Sequence, residues 1–203
     1  MIAWLQPAWV PLLAFALGAV PFSFLIARLR GIDIRDVGSG NIGATNLARA
    51  AGPVLGLTGL LLDVGKGSVA VAIALAAGPP SPDGGRQAVA GLLAILGHNF
   101  TPVLQFRGGK GVATGAGVFL VLCPGAFLMA LGLFAILVAI GRMVSLGSVA
   151  AAVFLPFAAY ATGAEKAIVL ASVAAAILTV ARHRANLARI ARGTEARLGA
   201  GRT

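Results

Sequence analysis

Residues 112–140 read VATGAGVFLVLCPGAFLMALGLFAILVAI, an apolar run with no charge in it. About 20 apolar residues cross the hydrocarbon core of a bilayer. This run is too long for one ordinary crossing, and Pro124-Gly125 interrupts it near the middle. Proline lacks the N–H that a helix interior needs. The run is therefore expected to fold as two short helices, about 112–123 and 125–140. Whether it counts once or twice decides the topology of the whole chain.

Five further apolar runs flank it, at about 4–27, 53–77, 87–104, 144–162 and 165–181. The 203-residue chain is 59% hydrophobic and 11% charged, against roughly 25% charged in a soluble domain. It reads as one all-α integral membrane domain over residues 1–203. The first run ends in Arg28 and Arg30 rather than at a cleavage site, so it is expected to be a retained span and not a signal peptide.

Charge sets the expected orientation. Thirteen of the sixteen cations are arginine. Arg28, Arg30, Arg35 and Arg49 fill the break at 28–49, and Arg107 and Lys110 fill that at 105–111. Arg182, Arg184, Arg189, Arg192, Arg197 and Arg202 fill the tail, whereas the break at 78–86 holds one arginine and one aspartate. Cytoplasmic loops carry the excess of Lys and Arg. The N-terminus and 78–86 are thus expected outside, and the C-terminus in the cytoplasm. That requires an odd number of crossings. Splitting 112–140 gives seven and leaves Arg142 inside; five crossings with non-spanning segments would keep the same parity.

The net charge of +10 does not suggest nucleic-acid binding, because no basic patch with interleaved aromatics exists. The single cysteine, Cys123, excludes an internal disulfide, and no zinc-ligand spacing is present. Gly18, Gly56, Gly59, Gly91, Gly132 and Gly147 are expected to let helices approach closely.

Three polar segments on the expected cytoplasmic side carry the chemistry. The first is GSGNIGATNLAR, residues 38–49. Its glycines permit positive φ and close approach to a ligand, and successive N–H groups in such a loop form an anion nest. Ser39, Asn41, Thr45 and Asn46 can cap a helix or bind the anion, and a helix N-terminus itself favours an anion. Arg49 offers a fork suited to phosphate. The plain alternative is an ordinary capped loop.

The second, GHNFTPVLQFRGGKGVAT at 97–114, resembles a phosphate loop, with glycines on both sides of Lys110 and a helix following. It is not a nucleotide-hydrolysis motif. Leu104 stands where that pattern needs glycine, and Gly111 where it needs Ser or Thr. Arg107, Gly108, Gly109, Lys110 and Gly111 are candidates for phosphate binding. Topology alone could also explain the two cations.

The third, RHRANLARIARGTE at 182–195, places His183 and Asn186 three apart, on one helix face. His183 could act as a base or orient a group. Within the second run, Asp63 and Lys66 are three apart, and intramembrane charges are expensive enough that they should pair.

The three segments, in this order and with LLDVGKG at 61–67, resemble the bacterial acyl-phosphate:glycerol-3-phosphate acyltransferases, the PlsY family. Ile42 is a minor departure from the family pattern. The pattern of acyl-CoA enzymes, a histidine, four residues, then aspartate, is absent after His98 and His183. The resemblance implies transfer of a fatty acyl group from acyl phosphate to glycerol 3-phosphate in the bacterial cytoplasmic membrane, with no cofactor and no metal. It implies a soluble enzyme upstream that makes the acyl phosphate. It also implies that Ser39, Lys110, His183 and Asn186 carry the chemistry. Arg49 and the glycine loop would hold phosphate, while Asp63, Lys66, His98 and Glu195 would support them. The proton acceptor stays open between His183 and a substrate phosphate. A transporter of phosphorylated molecules would share the cationic loops, but should show a polar midplane path and related halves, and no internal repeat is visible.

Overall fold

The computed structural model describes residues 7–78, 81 and 83–199. Arg202 and residues 4–6 of the first run lie outside them. The described residues form ten α-helices. These are α1 (Trp9–Ala19), α2 (Phe22–Leu29), α3 (Ala44–Ala51), α4 (Pro53–Ala76), α5 (Gly85–Asn99), α6 (Val112–Leu122), α7 (Pro124–Gly141), α8 (Val144–Ala161), α9 (Lys166–Arg182) and α10 (Arg184–Ala191).

The first run is not one smooth helix. Pro21 stands at the head of α2 and breaks it from α1. In a bilayer the carbonyls freed by such a break need partners inside the protein. Thr101 Oγ1 donates to Ala19 O at 2.6 Å, and Lys66 Nζ to Val20 O at 2.8 Å. The 112–140 run breaks as its sequence predicts. Cys123 leaves the helical region and Pro124 opens α7 at a position where its missing N–H costs nothing.

Five helical segments are long and apolar enough to cross a membrane: Trp9–Leu29, Pro53–Ala76, Gly85–Leu104, Pro124–Gly141 and Val144–Ala161. Lys166–Arg182 with Arg184–Ala191, bent by 59°, makes a sixth. The expected count of seven is not reached on this measure, and the physical reason is α6. Its 11 residues rise about 16 Å at 1.5 Å each, well short of a hydrocarbon core about 30 Å thick.

Small residues bring the helices together. A Cβ on Gly67 would strike the Thr114 carbonyl, and one on Gly117 the Val64 carbonyl, so α4 and α6 touch backbone to backbone. Gly18 and Gly97 do the same between α1 and α5, against Ala94 O and Phe15 O. Gly56, Gly59, Gly91 and Gly147 are also packing positions as expected, but Gly132 faces open space. The core holds many alanines, with Val71, Ile95, Val118 and Phe119 among its larger members. α7 is largely exposed and packs chiefly on α8.

Candidate active site

One cavity of about 630 Å³ gathers the three polar segments. Ser39 and Arg49 reach it from the first segment, Lys110 and Gly111 from the second, and His183 and Asn186 from the third. Away from these groups its wall turns apolar, with Phe119, Phe127, Phe134, Leu155 and Ala175 contributed by α6 to α9. The cavity therefore has a cationic head and a hydrocarbon-like shaft.

Backbone geometry makes the head receptive to anions. Gly38 and Gly40 have φ of 59° and 66°, which only glycine adopts at little cost. Gly43 caps α3, and the first-turn residues Ala44 and Thr45 face the cavity. Gly111, at φ 79°, caps α6, whose Val112 and Ala113 also line it. Two helix N-termini, with their unpaired N–H groups, thus converge on one space.

Side chains lock the head from beneath. Lys110 Nζ donates to Asn186 Oδ1 at 2.5 Å, and Asn186 Nδ2 donates to Glu195 Oε1 at 2.6 Å. Ser145 Oγ and Arg189 Nε complete the Glu195 carboxylate at 2.7 and 2.8 Å. Burial pushes that carboxyl up, but the hydrogen bonds from Ser145, Asn186 and Arg189 outweigh it and hold Glu195 below its usual range. Lys110 is brought down to about 8. Burial is the main cause, Glu195 opposes it, and Arg189, Arg49 and Arg182 add to it.

Asp63 and Lys66 pair as expected, at 2.8 Å and almost fully buried. Their contact with His98, from 32 residues further on, was not visible in the sequence: Lys66 Nζ lies 2.9 Å from His98 Nδ1. His98 and Asp63 line the cavity beside the glycine loop. The His98 carbonyl accepts from Gly109 N at 3.1 Å, and its ring lies where a Cβ on Gly109 would be.

Two expected ligands are placed otherwise. Arg107 is exposed and outside the cavity. Asn46 lines the cavity with its amide already engaged: its Nδ2 donates to Ile34 O and Val37 O at 3.0 and 2.9 Å, and its Oδ1 accepts from Ser39 N at 3.1 Å. It clips the first loop together. Asn41 caps that loop through Gly43 N at 2.9 Å. Gly108 and Gly109 shape the loop through their main chain. Arg182, read from sequence as a topological charge, donates to Gly109 O at 3.0 Å and Gly108 O at 2.5 Å. Its place directly before His183 was the available signal.

Gly109→Ala tests this packing. The new methyl must displace the His98 ring and move the loop that carries Lys110. The expected outcome is at least a tenfold loss of kcat/KM with little change in the thermal midpoint, read by initial rates and a melt on the same preparation.

A multi-pass helical membrane protein with such a cavity is shaped for an amphiphile with an anionic head. Comparison with known proteins agrees. Residues 8–193 match the family model for glycerol-3-phosphate acyltransferase. Glycerol-3-phosphate acyltransferases of Trichlorobacter lovleyi and Jannaschia sp. are 43% and 45% identical, over 92% and 93% of this chain and 95% and 91% of their own lengths. The crystal structure of PlsY (YgiH), an integral membrane glycerol 3-phosphate acyltransferase, in its glycerol 3-phosphate form superposes with a TM-score of 0.91 at 33% identity, covering 96% of both chains. The lysophosphatidic acid form gives 0.88 at 32%. The chain belongs to the glycerol-3-phosphate acyltransferase family and is an enzyme of that activity.

Proposed function

We propose that the enzyme takes its acyl group from a fatty acyl phosphate. It passes the group to the sn-1 hydroxyl of glycerol 3-phosphate, giving 1-acylglycerol 3-phosphate and inorganic phosphate. This would be the first acylation of bacterial phospholipid synthesis. The observation that carries the reading is the single cavity whose cationic head continues into an apolar shaft. Crystal forms of PlsY with glycerol 3-phosphate and with lysophosphatidic acid support it.

In this reading the acyl chain lies in the shaft, and both phosphates lie against the N-termini of α3 and α6. Arg49, Thr45, Asn41, Gly108, Gly109 and Gly111 shape and charge the phosphate positions. Ser39 and Lys110 stabilise charge that develops at the carbonyl and on the departing phosphate. A new C–O bond forms between the sn-1 oxygen and the acyl carbon, and the acyl C–O bond to phosphate breaks. A phosphate oxygen of the bound substrate takes the hydroxyl proton, with His183 and Asn186 holding the reacting groups in place. The mixed anhydride is already activated, so the reaction calls on no cofactor.

The same reading places the N-terminus outside, the C-terminus and catalytic head at the cytoplasm, and the chain in the inner membrane of a bacterium. Seven crossings satisfy that orientation if α6, sheltered against α4, serves as a short one. A soluble enzyme that phosphorylates or transfers acyl groups to phosphate would supply the donor.

The test is direct. Purified protein in detergent receives glycerol 3-phosphate with either palmitoyl phosphate or palmitoyl-CoA. Lysophosphatidate is expected with palmitoyl phosphate alone. Product from palmitoyl-CoA and none from palmitoyl phosphate would overturn the donor assignment.

A further inference from the structure

The chain has two histidines, both on the cavity wall, and their neighbours force opposite tautomers. Lys66 Nζ has three close contacts: Val20 O at 2.8 Å, Asp63 Oδ1 at 2.8 Å and His98 Nδ1 at 2.9 Å. An ammonium has three hydrogens to give and no lone pair. Beside the Asp63 carboxylate, with which it forms an ion pair, Lys66 is an ammonium, so Val20 O and His98 Nδ1 each take one of its hydrogens. His98 Nδ1 is therefore an acceptor. Asp63 Oδ1, at 3.7 Å from the same nitrogen, is too far to draw a proton onto it. The ring proton of His98 stands on Nε2. At His183 the arrangement is reversed. Nδ1 lies 2.8 Å from Thr179 O, and a carbonyl only accepts. The His183 proton is on Nδ1, and its Nε2 keeps the lone pair.

The cavity is thus walled by one imidazole that offers an N–H and another that offers a lone pair. The donating edge of His98 lies against Gly109, the glycine whose absent side chain leaves room for it. Lys110, Gly111 and Asp63 belong to the same wall. We propose that His98 is a further phosphoryl-binding residue, its Nε2–H donating to an oxygen of a phosphate monoester or acyl phosphate seated beside Gly109. The Asp63–Lys66 pair is the positioning device that keeps this N–H in place. A carboxylate–lysine–imidazole chain is expensive inside a membrane. A ring that only filled space would not require it. The proposal rests on the two-phosphate reading of the cavity. It adds that a neutral donor from within the span, and not only the loop cations, grips one phosphoryl group.

Because only two imidazoles exist, 15N NMR of protein labelled at histidine reads both tautomers directly. A His183→Gln preparation assigns the remaining signals to His98. The expected spectrum has His98 protonated at Nε2 and His183 at Nδ1. Titration with glycerol 3-phosphate in one arm, and with a hydrolysis-resistant acyl phosphonate in the other, shows which phosphoryl group shifts the His98 Nε2–H signal. Binding of each ligand is followed in parallel by calorimetry. Kinetics supply a second readout. His98→Phe removes the donor and should raise KM for that one substrate at least tenfold, whereas His98→Gln, which keeps a terminal N–H, should recover most of it. A His98 protonated on Nδ1, or ligands that bind calorimetrically without moving its signal, would overturn the proposal. If neither ligand binds, the two-phosphate reading and the proposal fall together.

Discussion

Lys110→Met should lower kcat/KM for glycerol 3-phosphate acylation by roughly 10²- to 10³-fold, the range seen when one preorganised donor to developing charge is removed. Lys110 is the only cation of the glycine loop that faces the cavity, since Arg107 points away from it. Its hydrogen bond to Asn186 and the capped N-terminus of α6 fix its direction. Its ionisation adds a pH signature. Burial brings Lys110 to about 8, so in the free enzyme it is cationic below that pH and neutral above it. Anion binding needs the cation. The kcat/KM should therefore fall as pH rises through about 8, while kcat, which reports the substrate-bound enzyme, should hold to higher pH. Arginine stays charged throughout, so Lys110→Arg should lose the alkaline limb whatever its absolute rate. Initial rates between pH 6.5 and 9.5 on the three proteins check this. An unchanged alkaline limb in Lys110→Arg would assign it to another group.

The sequence shows the fold where the bilayer dictates it. Backbone groups in lipid must be satisfied within the segment, so the apolar runs became helices, and Pro124 marked a true break. The break at Pro21 passed unread because a proline early in an apolar run also suits a continuous span. Only the partners Thr101 and Lys66, far along the chain, show that the Ala19 and Val20 carbonyls are free. The candidate site was legible as three segments, because glycine loops and cations declare anion binding locally. Individual duties were not. Asn46 looks like a ligand in a polar loop, yet its amide closes on Ile34 and Val37 through a loop path that no local pattern encodes. Arg107 stands outside the cavity, and Arg182 braces the Gly108 and Gly109 carbonyls, for the same reason. Adjacency to Gly108 says less than the turn at Gln105 and Phe106, whose φ of 53° and 62° carries the chain past the loop. Asp63 and Lys66 were paired correctly because helical spacing alone brings them together.

That pair carries the other large effect. Lys66→Met leaves the Asp63 carboxylate almost fully buried, with the Ser23 hydroxyl at 3.4 Å as the hydrogen bond still in place. It also leaves Val20 O at the α1–α2 break with the Phe22 N–H at 3.1 Å as its remaining donor, and removes the donor to His98 Nδ1. Breaking one side of a buried ion pair costs about 3–5 kcal/mol, because the remaining charge is uncompensated. The variant should therefore show a markedly lower thermal midpoint in detergent. Replacing both partners with apolar residues of similar size is often close to neutral. Asp63→Leu combined with Lys66→Met should accordingly recover most of the lost stability. Activity should not follow stability, since His98 has lost its partner in the double variant as well. A double-mutant cycle run on melts and on KM separates the two effects. Recovery of stability with KM still raised fits a positioning role for the pair. Recovery of both together would make the pair structural only, and recovery of neither would show that unpaired charge is not what destabilises the single variant.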